Sequence, residues 1–340
     1  MRTAALFLCV LPTIAGCSSQ AHRSTPADAG ILSVGDLNTE QIRRLDRAHT
    51  VVLLEGGILE EHGPYLPSFA DGYQSDFIAT KVAGAIVARP GWTVLRFPPL
   101  PLGAMPANEI GGRFTFPGSY PVRMATLRAV YMDLATDLGE AGFRYILVVN
   151  YHGGPSHNSA LDDASRYFSG TYSGVMVNLL GLVSVAGAAP HDQFTKSERE
   201  AEGFSVHADA DEHSRMLFLK PDVVATTVDH AAAVVGHEPA DLVSLAQRPD
   251  WPGYFGTPAI ANVEAGRRKM DGLAAAAVDA ALKALDGTLP DTAPRVVDQD
   301  AADPTFERIT KAALEHDRQV EQIEMDWLAS ASRATPQGRR

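Results

Sequence analysis

Residues 50–71 read TVVLLEGGILEEHGPYLPSFAD, and two features of that stretch decide the reading of the whole chain. Thr50 to Leu54 is a β-branched and aliphatic run without polar alternation, which is the pattern of a central parallel strand covered on both faces. Gly56 and Gly57 are expected to break the run, and Glu60, His62 and Asp71 follow within one short segment. Carboxylate oxygens and neutral imidazole nitrogens are common ligands of Zn2+ and Mn2+, and Glu-x-His lets both side chains reach one point from an extended backbone. A metal-binding segment is therefore expected just past the carboxyl end of a buried strand.

Working outward, residues 75–88 have a helical pattern, 92–97 a second strand, and the Pro- and Gly-rich stretch 98–121 a long loop that could wall a pocket. Residues 122–141 form a strong helix candidate that stops at Gly142. Tyr145 to Val149 is another buried strand, followed at once by Asn150, Tyr151, His152, Gly153 and Gly154. In open α/β sheets this is the edge where sites are built, so His152 can meet the Glu60 segment despite its distance in sequence. A helix over 158–167 and a strand over 174–180 come next, then a polar, irregular stretch over 186–202. His207 and Glu212 stand where the helical pattern of 206–219 begins, an Ala-rich helix spans 262–285, and a charged amphipathic helix closes the chain from Pro304 to about Ala329. Upstream, 36–48 reads as a helix with Asn38 or Thr39 as its N-cap. No repeat and no break in composition marks a second domain. The expected fold is α/β: a single three-layer domain with a mostly parallel central sheet flanked by helices.

The net charge of -12 argues against a nucleic-acid partner or an anionic membrane surface, both of which need clustered Lys and Arg. Residues 1–16 resemble a bacterial lipoprotein signal: Arg2, an apolar run, then Ile-Ala-Gly before Cys17. Acylated Cys17 would begin the mature chain, and contact with a membrane is expected only through that anchor. Ser18 resembles the outer-membrane sorting pattern, which puts the expected location on the periplasmic face of the cell envelope. Residues 17–30 read as a flexible tether, 31–290 as the folded domain and 291–340 as a C-terminal helical extension. Cys9 leaves with the signal and Cys17 is acylated, so neither a disulfide nor a cysteine nucleophile is expected.

Taken singly, these residues have blander readings. Asp71 also reads as a helix N-cap or a solvated loop acid, His152 as part of a structural turn, and His207 with Glu212 as a solvated helix face. Glu55, Glu61, His157, His191 and His213 read as structural or supporting groups. Asn108 and Glu109 read as a solvated loop tip without a role.

In combination, the motifs resemble a family. Glu60-Glu61-His62-Gly63-Pro64 with Leu66-Pro67 and Asp71 is similar to the EQHGPHLPxxxD signature of creatininase-like amidohydrolases. Asn150-Tyr151-His152-Gly153-Gly154 resembles their NGHGG segment, His207-Ala208 with Glu212 and Ser214 their HAGxxETS segment, and Phe116-Pro117-Gly118-Ser119 their FPGT turn. The resemblance runs from about Ile31 to Leu285. It implies two divalent ions per chain, Zn2+ and/or Mn2+: one held by Glu60, His152 and Asp71, the other by His62, Glu212 and the same Asp71. It also implies a metal-bound hydroxide attacking a small-molecule amide, His207 passing a proton to the departing nitrogen, and a homo-oligomer. Creatinine itself is a doubtful substrate, because Gly154 replaces a glutamate of the creatinine-hydrolysing members and no tryptophan stands beside the His207 motif. The expected activity is hydrolysis of a cyclic or otherwise non-standard amide. The alternatives are a metallopeptidase that trims a small peptide and a ligand-binding lipoprotein without turnover.

Overall fold

The computed structural model describes residues 30–187 and 194–334. The expected signal peptide, Cys17, most of the tether and His191 lie outside the described residues.

Five strands, β1 (Ile31–Ser33), β2 (Thr50–Gly57), β3 (Thr93–Arg96), β4 (Tyr145–Tyr151) and β5 (Val175–Asn178), pair in the order β1-β3-β2-β4-β5. Every pairing in this sheet is parallel. The helices in chain order are α1 (Thr39–Arg43), α2 (Ala70–Val87), α3 (Met124–Glu140), α4 (Pro155–Tyr172), α5 (Val183–Ala186), α6 (Lys196–Glu202), α7 (Ala210–Leu219), α8 (Pro239–Ala246), α9 (Val263–Leu285), α10 (Val296–Asp300) and α11 (Pro304–Ala334). None among the described residues is long and apolar enough to cross a membrane.

Side chains alternate across a strand, so the apolar run of β2 feeds two cores. Val51 and Leu53 pack with Ile78, Val82 and Ile86 of α2 and with the alanine-rich face of α9. Val52 and Leu54 pack with Leu127 and Tyr131 of α3 and with Leu161 and Phe168 of α4. The result is three layers around one sheet.

Three local expectations are corrected. β2 does not break at Gly56: it continues through Gly57, which pairs with Tyr151. The absent side chains are what allow this, since a Cβ on Gly56 would lie 2.4 Å from the Leu100 carbonyl and one on Gly57 2.4 Å from the Gly72 nitrogen. The second approach seats the first turn of α2 against the strand, so α2 starts at Ala70 and not near Ser75, with Asp71 inside it. The stretch 186–202, expected to be irregular, ends in α6, whose Thr195 and Glu198 form a reciprocal capping box.

The topology sets where a site can form. The chain leaves β2 toward β3 on one side and leaves β4 toward β5 on the other, which opens a crevice between the carboxyl ends of β2 and β4. The segment carrying Glu60 and His62 follows β2, and His152 follows β4.

Candidate metal centre

Glu60, His62, Asp71, His152, His207 and Glu212 come together at that crevice, and all are buried or nearly so. They arrive from separate parts of the fold. Glu60 and His62 lie on the segment after β2, pinned where the Glu60 N–H donates to the Ser68 carbonyl. Asp71 is in the first turn of α2, brought close by Gly57. Glu212 sits in the first turn of α7, where the Asp209 side chain accepts from the Glu212 N–H at 2.9 Å. The solvated readings of Asp71, His207 and Glu212 are thereby excluded.

The three histidines share one arrangement. His62 Nδ1 lies 3.0 Å from the Glu60 carbonyl, His152 Nε2 3.0 Å from the Met105 carbonyl, and His207 Nε2 2.6 Å from the Glu61 carbonyl. A carbonyl oxygen only accepts, so in each ring the outer nitrogen carries the hydrogen and donates. The inner nitrogen of the neutral ring then turns a lone pair toward the acids, which is the tautomer a metal ligand needs. His152 Nδ1 stands 3.0 Å from Glu60 and 3.3 Å from Asp71. His62 Nε2 stands 3.7 Å from Glu212 and 4.0 Å from Asp71. His207 Nδ1 stands 3.6 Å from Glu60.

Donor atoms of Glu60, Asp71 and His152 lie within 4.8 Å of one another, as do those of His62, Asp71 and Glu212, and a third such group joins Glu60, His62 and His207. Asp71 belongs to both of the first two. His62 Nε2 and Asp71 Oδ2 are buried without a hydrogen-bond partner. Leaving such atoms unpaired costs on the order of 1–3 kcal/mol each, so the donor set fits a cation.

The electrostatics agree. Burial opposes charge on His152, yet Glu60 and Asp71 hold its proton well above the ordinary range. Burial likewise opposes charge on His207, but Glu60 and Glu61 push it up to about 10. Burial works against ionised Glu60, but His152 and His207 bring it to about 2. Burial raises Asp71. This is an excess of buried negative charge, which protons or divalent cations can balance.

A second ring of residues holds the first in place. Gln74 donates to Glu212 at 2.8 Å, and Arg215 donates to Gln74 and to the Tyr151 hydroxyl. Ser119 accepts from the Glu61 N–H at 3.0 Å and donates to Asn108 at 2.6 Å, so the Phe116–Ser119 turn buttresses the segment after β2. Met105 and Ala208 have left-handed backbones at φ 60° and 48°. Their strain is spent at the site: the Met105 carbonyl orients His152, and the Ala208 N–H donates to Glu212. Glu61, read as a supporting group, lies behind His207 with its carboxylate 3.5 Å from Nε2. Neither Gln74 nor Arg215 was indicated by the sequence, because within α2 and α7 each reads as an ordinary polar position.

The long loop 98–121 does wall a pocket. Met105, Pro106, Ala107 and Ile110 line a cavity of about 290 Å³ that also reaches Glu60, Asp71, His152, His207 and Glu212. No tryptophan lines it among the described residues. The solvated-tip reading of Asn108 and Glu109 is corrected, since both are buried. Burial and the neighbouring Asp317 of α11 push Glu109 up to about 8. Between the ordinary carboxyl range and about 8, the folded chain holds a proton that the unfolded chain has released. That contribution is complete at lower pH and is lost as pH rises, at about 1.4 kcal/mol per pH unit. In calorimetry on chelator-treated protein from pH 5 to 9, Glu109→Gln should therefore decline less steeply than the wild type, and parallel curves would refute the shift.

Gly154 has no room for a larger residue. A Cβ there would lie 2.6 Å from His152 Nε2 and 2.6 Å from the Met105 carbonyl, inside the hydrogen bond that orients His152. Gly154→Glu should therefore displace His152 and lose about 1–3 kcal/mol of stability, with weaker metal uptake. A variant with wild-type melting and full metal content would contradict this crowding.

A family model described as creatininase, creatinine amidohydrolase, matches residues 35–281. A mycofactocin precursor peptide peptidase of Mycobacterium ulcerans (strain Agy99) is 27% identical over 267 residues, covering 74% of this chain and 90% of that protein. A 3-dehydro-scyllo-inosose hydrolase of Thermotoga maritima is 24% identical over 235 residues, covering 65% of this chain and 68% of that protein. Among solved structures, a manganese creatininase superposes with a TM-score of 0.53 at 22% identity, over 76% of this chain and 99% of that one. A creatininase variant described as of Zn-Zn type superposes at 0.50 and 22% identity, over 76% and 98%. At these identities the structures share the fold.

Proposed function

The chain belongs to the creatininase family, and from that membership we propose that it hydrolyses a cyclic or otherwise non-standard amide C–N bond in a small molecule with the help of two divalent cations. The observation that carries the reading is the common orientation of His62 and His152, each tied outward to a carbonyl and presenting its inner nitrogen to acids that include Asp71. A binding protein without turnover has no need of two adjacent donor sets sharing one carboxylate.

In this reading Glu60, His152 and Asp71 would hold one cation, and His62, Glu212 and Asp71 the other. The manganese and zinc forms of the fold neighbours make Mn2+ and Zn2+ the ions to try. Bound there, such a pair would polarise a substrate carbonyl and lower the pKa of water. The chain's own residues do the rest. Glu60, held by the Ala107 N–H, and Glu212, held by Gln74 and the Ala208 N–H, keep their carboxylates fixed in place. His207 faces the cavity beside Glu60, where it can hand a proton to a departing nitrogen. Met105, Pro106, Ala107 and Ile110 of the loop 98–121 wall the cavity beside these groups.

Creatinine is disfavoured as substrate by the crowding at Gly154 and by the absence of tryptophan from the described cavity lining. One relative is a peptide peptidase, which keeps short peptides in the test panel. A cavity of about 290 Å³ is nevertheless at the small end for a ligand site and suits a compact molecule better than an extended peptide.

The test is metal content by elemental analysis on the purified protein, followed by amine release from a panel of lactams, cyclic imides, hydantoins and di- and tripeptides. Near two ions per chain with turnover of a cyclic amide supports the reading. Near zero ions after loading with Zn2+ or Mn2+ would favour the ligand-binding alternative, and turnover confined to peptides would favour the peptidase.

A further inference from the structure

The family match ends at residue 281, yet the cavity does not. Val296 and Asp300 of α10 and Phe306 and Ile309 of α11 also line it. These helices are firmly docked. Arg295 donates to Asp162 and to the Asn178 carbonyl, and the Val296 N–H donates to the Gly181 carbonyl at 2.9 Å. Farther along, Asp317 accepts from the Met124 N–H at 2.9 Å, Arg123 pairs with Glu324 at 2.6 Å, and His316 stacks on Phe114 with ring centroids 4.0 Å apart. Ile309 and Ala313 pack on Met105, whose carbonyl orients His152.

We propose that this C-terminal extension is the specificity element of the cavity: Phe306 and Ile309 select compact amides that carry an apolar substituent, and Asp300 disfavours substituents ending in a carboxylate. The proposal rests on the hydrolase reading above and adds the substrate class to it. The cavity has acids and imidazoles where the metal donors converge, two basic groups, Arg215 and Lys269, each paired with Asp211 at 3.3 and 3.4 Å, and apolar groups at Phe306, Ile309, Val296, Leu273, Val185 and Ile110. A substituent placed among those apolar groups gains roughly fourfold in affinity per buried methylene. Asp300 is only partly exposed, and the basic groups of the lining, Arg215 and Lys269, pair with Asp211 and not with it, so a second carboxylate brought beside Asp300 would be repelled. Burial together with Asp303 already raises its proton affinity, to about 6.

Hydroxamic acids test this through binding alone, because the hydroxamate group chelates divalent ions whether or not the protein turns a substrate over. Affinities of acetohydroxamate, isovalerohydroxamate and succinic monohydroxamate are measured by calorimetry on the Zn2+- or Mn2+-loaded full chain. The wild type should bind the isovaleryl compound at least about tenfold tighter than the acetyl one. Phe306→Ala and Ile309→Ala should each reduce that ratio several-fold, Phe306→Leu should restore most of it, and Asp300→Asn should selectively improve the succinyl compound. Melting curves confirm that each variant is folded. No binding of any hydroxamate would overturn the hydrolase reading and this proposal with it. Binding of all three with ratios unchanged in every variant would overturn the proposal alone.

Discussion

Asp71→Asn is expected to strip the protein of bound cation and to lower turnover at least about a thousandfold, because this one carboxylate serves both donor sets. Its Oδ2 lies 3.3 Å from His152 and its Oδ1 4.0 Å from His62, and the side chain is buried, so no solvent group can replace it. Asparagine keeps the shape but offers one acceptor and no charge. In the metal-free chain the change removes one of the two acids that hold the His152 proton, so the cation-dependent loss is read as the difference between the loaded and the metal-free protein. A cation at a hundredfold excess over its dissociation constant stabilises the wild type by about 2.7 kcal/mol, and the variant should gain none of that. Calorimetry with and without Zn2+ or Mn2+, alongside elemental analysis, measures both effects. Two ions per chain retained in the variant would falsify the shared role of Asp71.

What could be read in the chain beforehand follows a physical division. The apolar run from Thr50 to Leu54 announced a buried strand because nothing but burial on both faces explains five such residues without polar alternation. His152 could be placed beside Glu60 because the carboxyl edge of a parallel sheet gathers the residues that follow its strands. Gly56 and Gly57 are ambiguous in sequence because turn chemistry and close packing call for the same residue, and only the position of Leu100 and Gly72 distinguishes them. The burial of Glu109 leaves no trace in its own loop, because the helices that pack on that turn, α8 and α11, come well over a hundred residues later in the chain. The orientation of the three histidines depends on where three backbone carbonyls point, one of them at a residue with a left-handed backbone, and side-chain spacing carries no record of that. The cavity wall at Phe306 and Ile309 was illegible for the same reason as Glu109. An amphipathic helix shows that it docks, but not on what.

His207→Ala is expected to keep the bound cations and to lose turnover by roughly a hundred- to ten-thousandfold, the usual worth of a positioned acid or base. The rival reading makes His207 a metal ligand, since its donor atom can be grouped with those of Glu60 and His62. Three observations favour the proton role. His207 Nδ1 stands 3.6 Å from Glu60, whereas His152 comes to 3.0 Å of the same carboxylate. His207 borders the cavity where a substrate would lie, and His62, 4.5 Å away ring to ring, is not among the cavity's lining residues. Behind it stands Glu61, whose carboxylate oxygens have no hydrogen-bond partner and approach Nε2 to 3.5 Å, a placement that supports an imidazole gaining and losing a proton. With Nε2–H committed to the Glu61 carbonyl, Nδ1 is the nitrogen left to exchange a proton on the cavity side. Elemental analysis and kcat measured on one preparation separate the readings. Unchanged metal content with kcat lost assigns the proton role; one ion lost per chain would move His207 into the ligand set, and unchanged kcat would dismiss it from both.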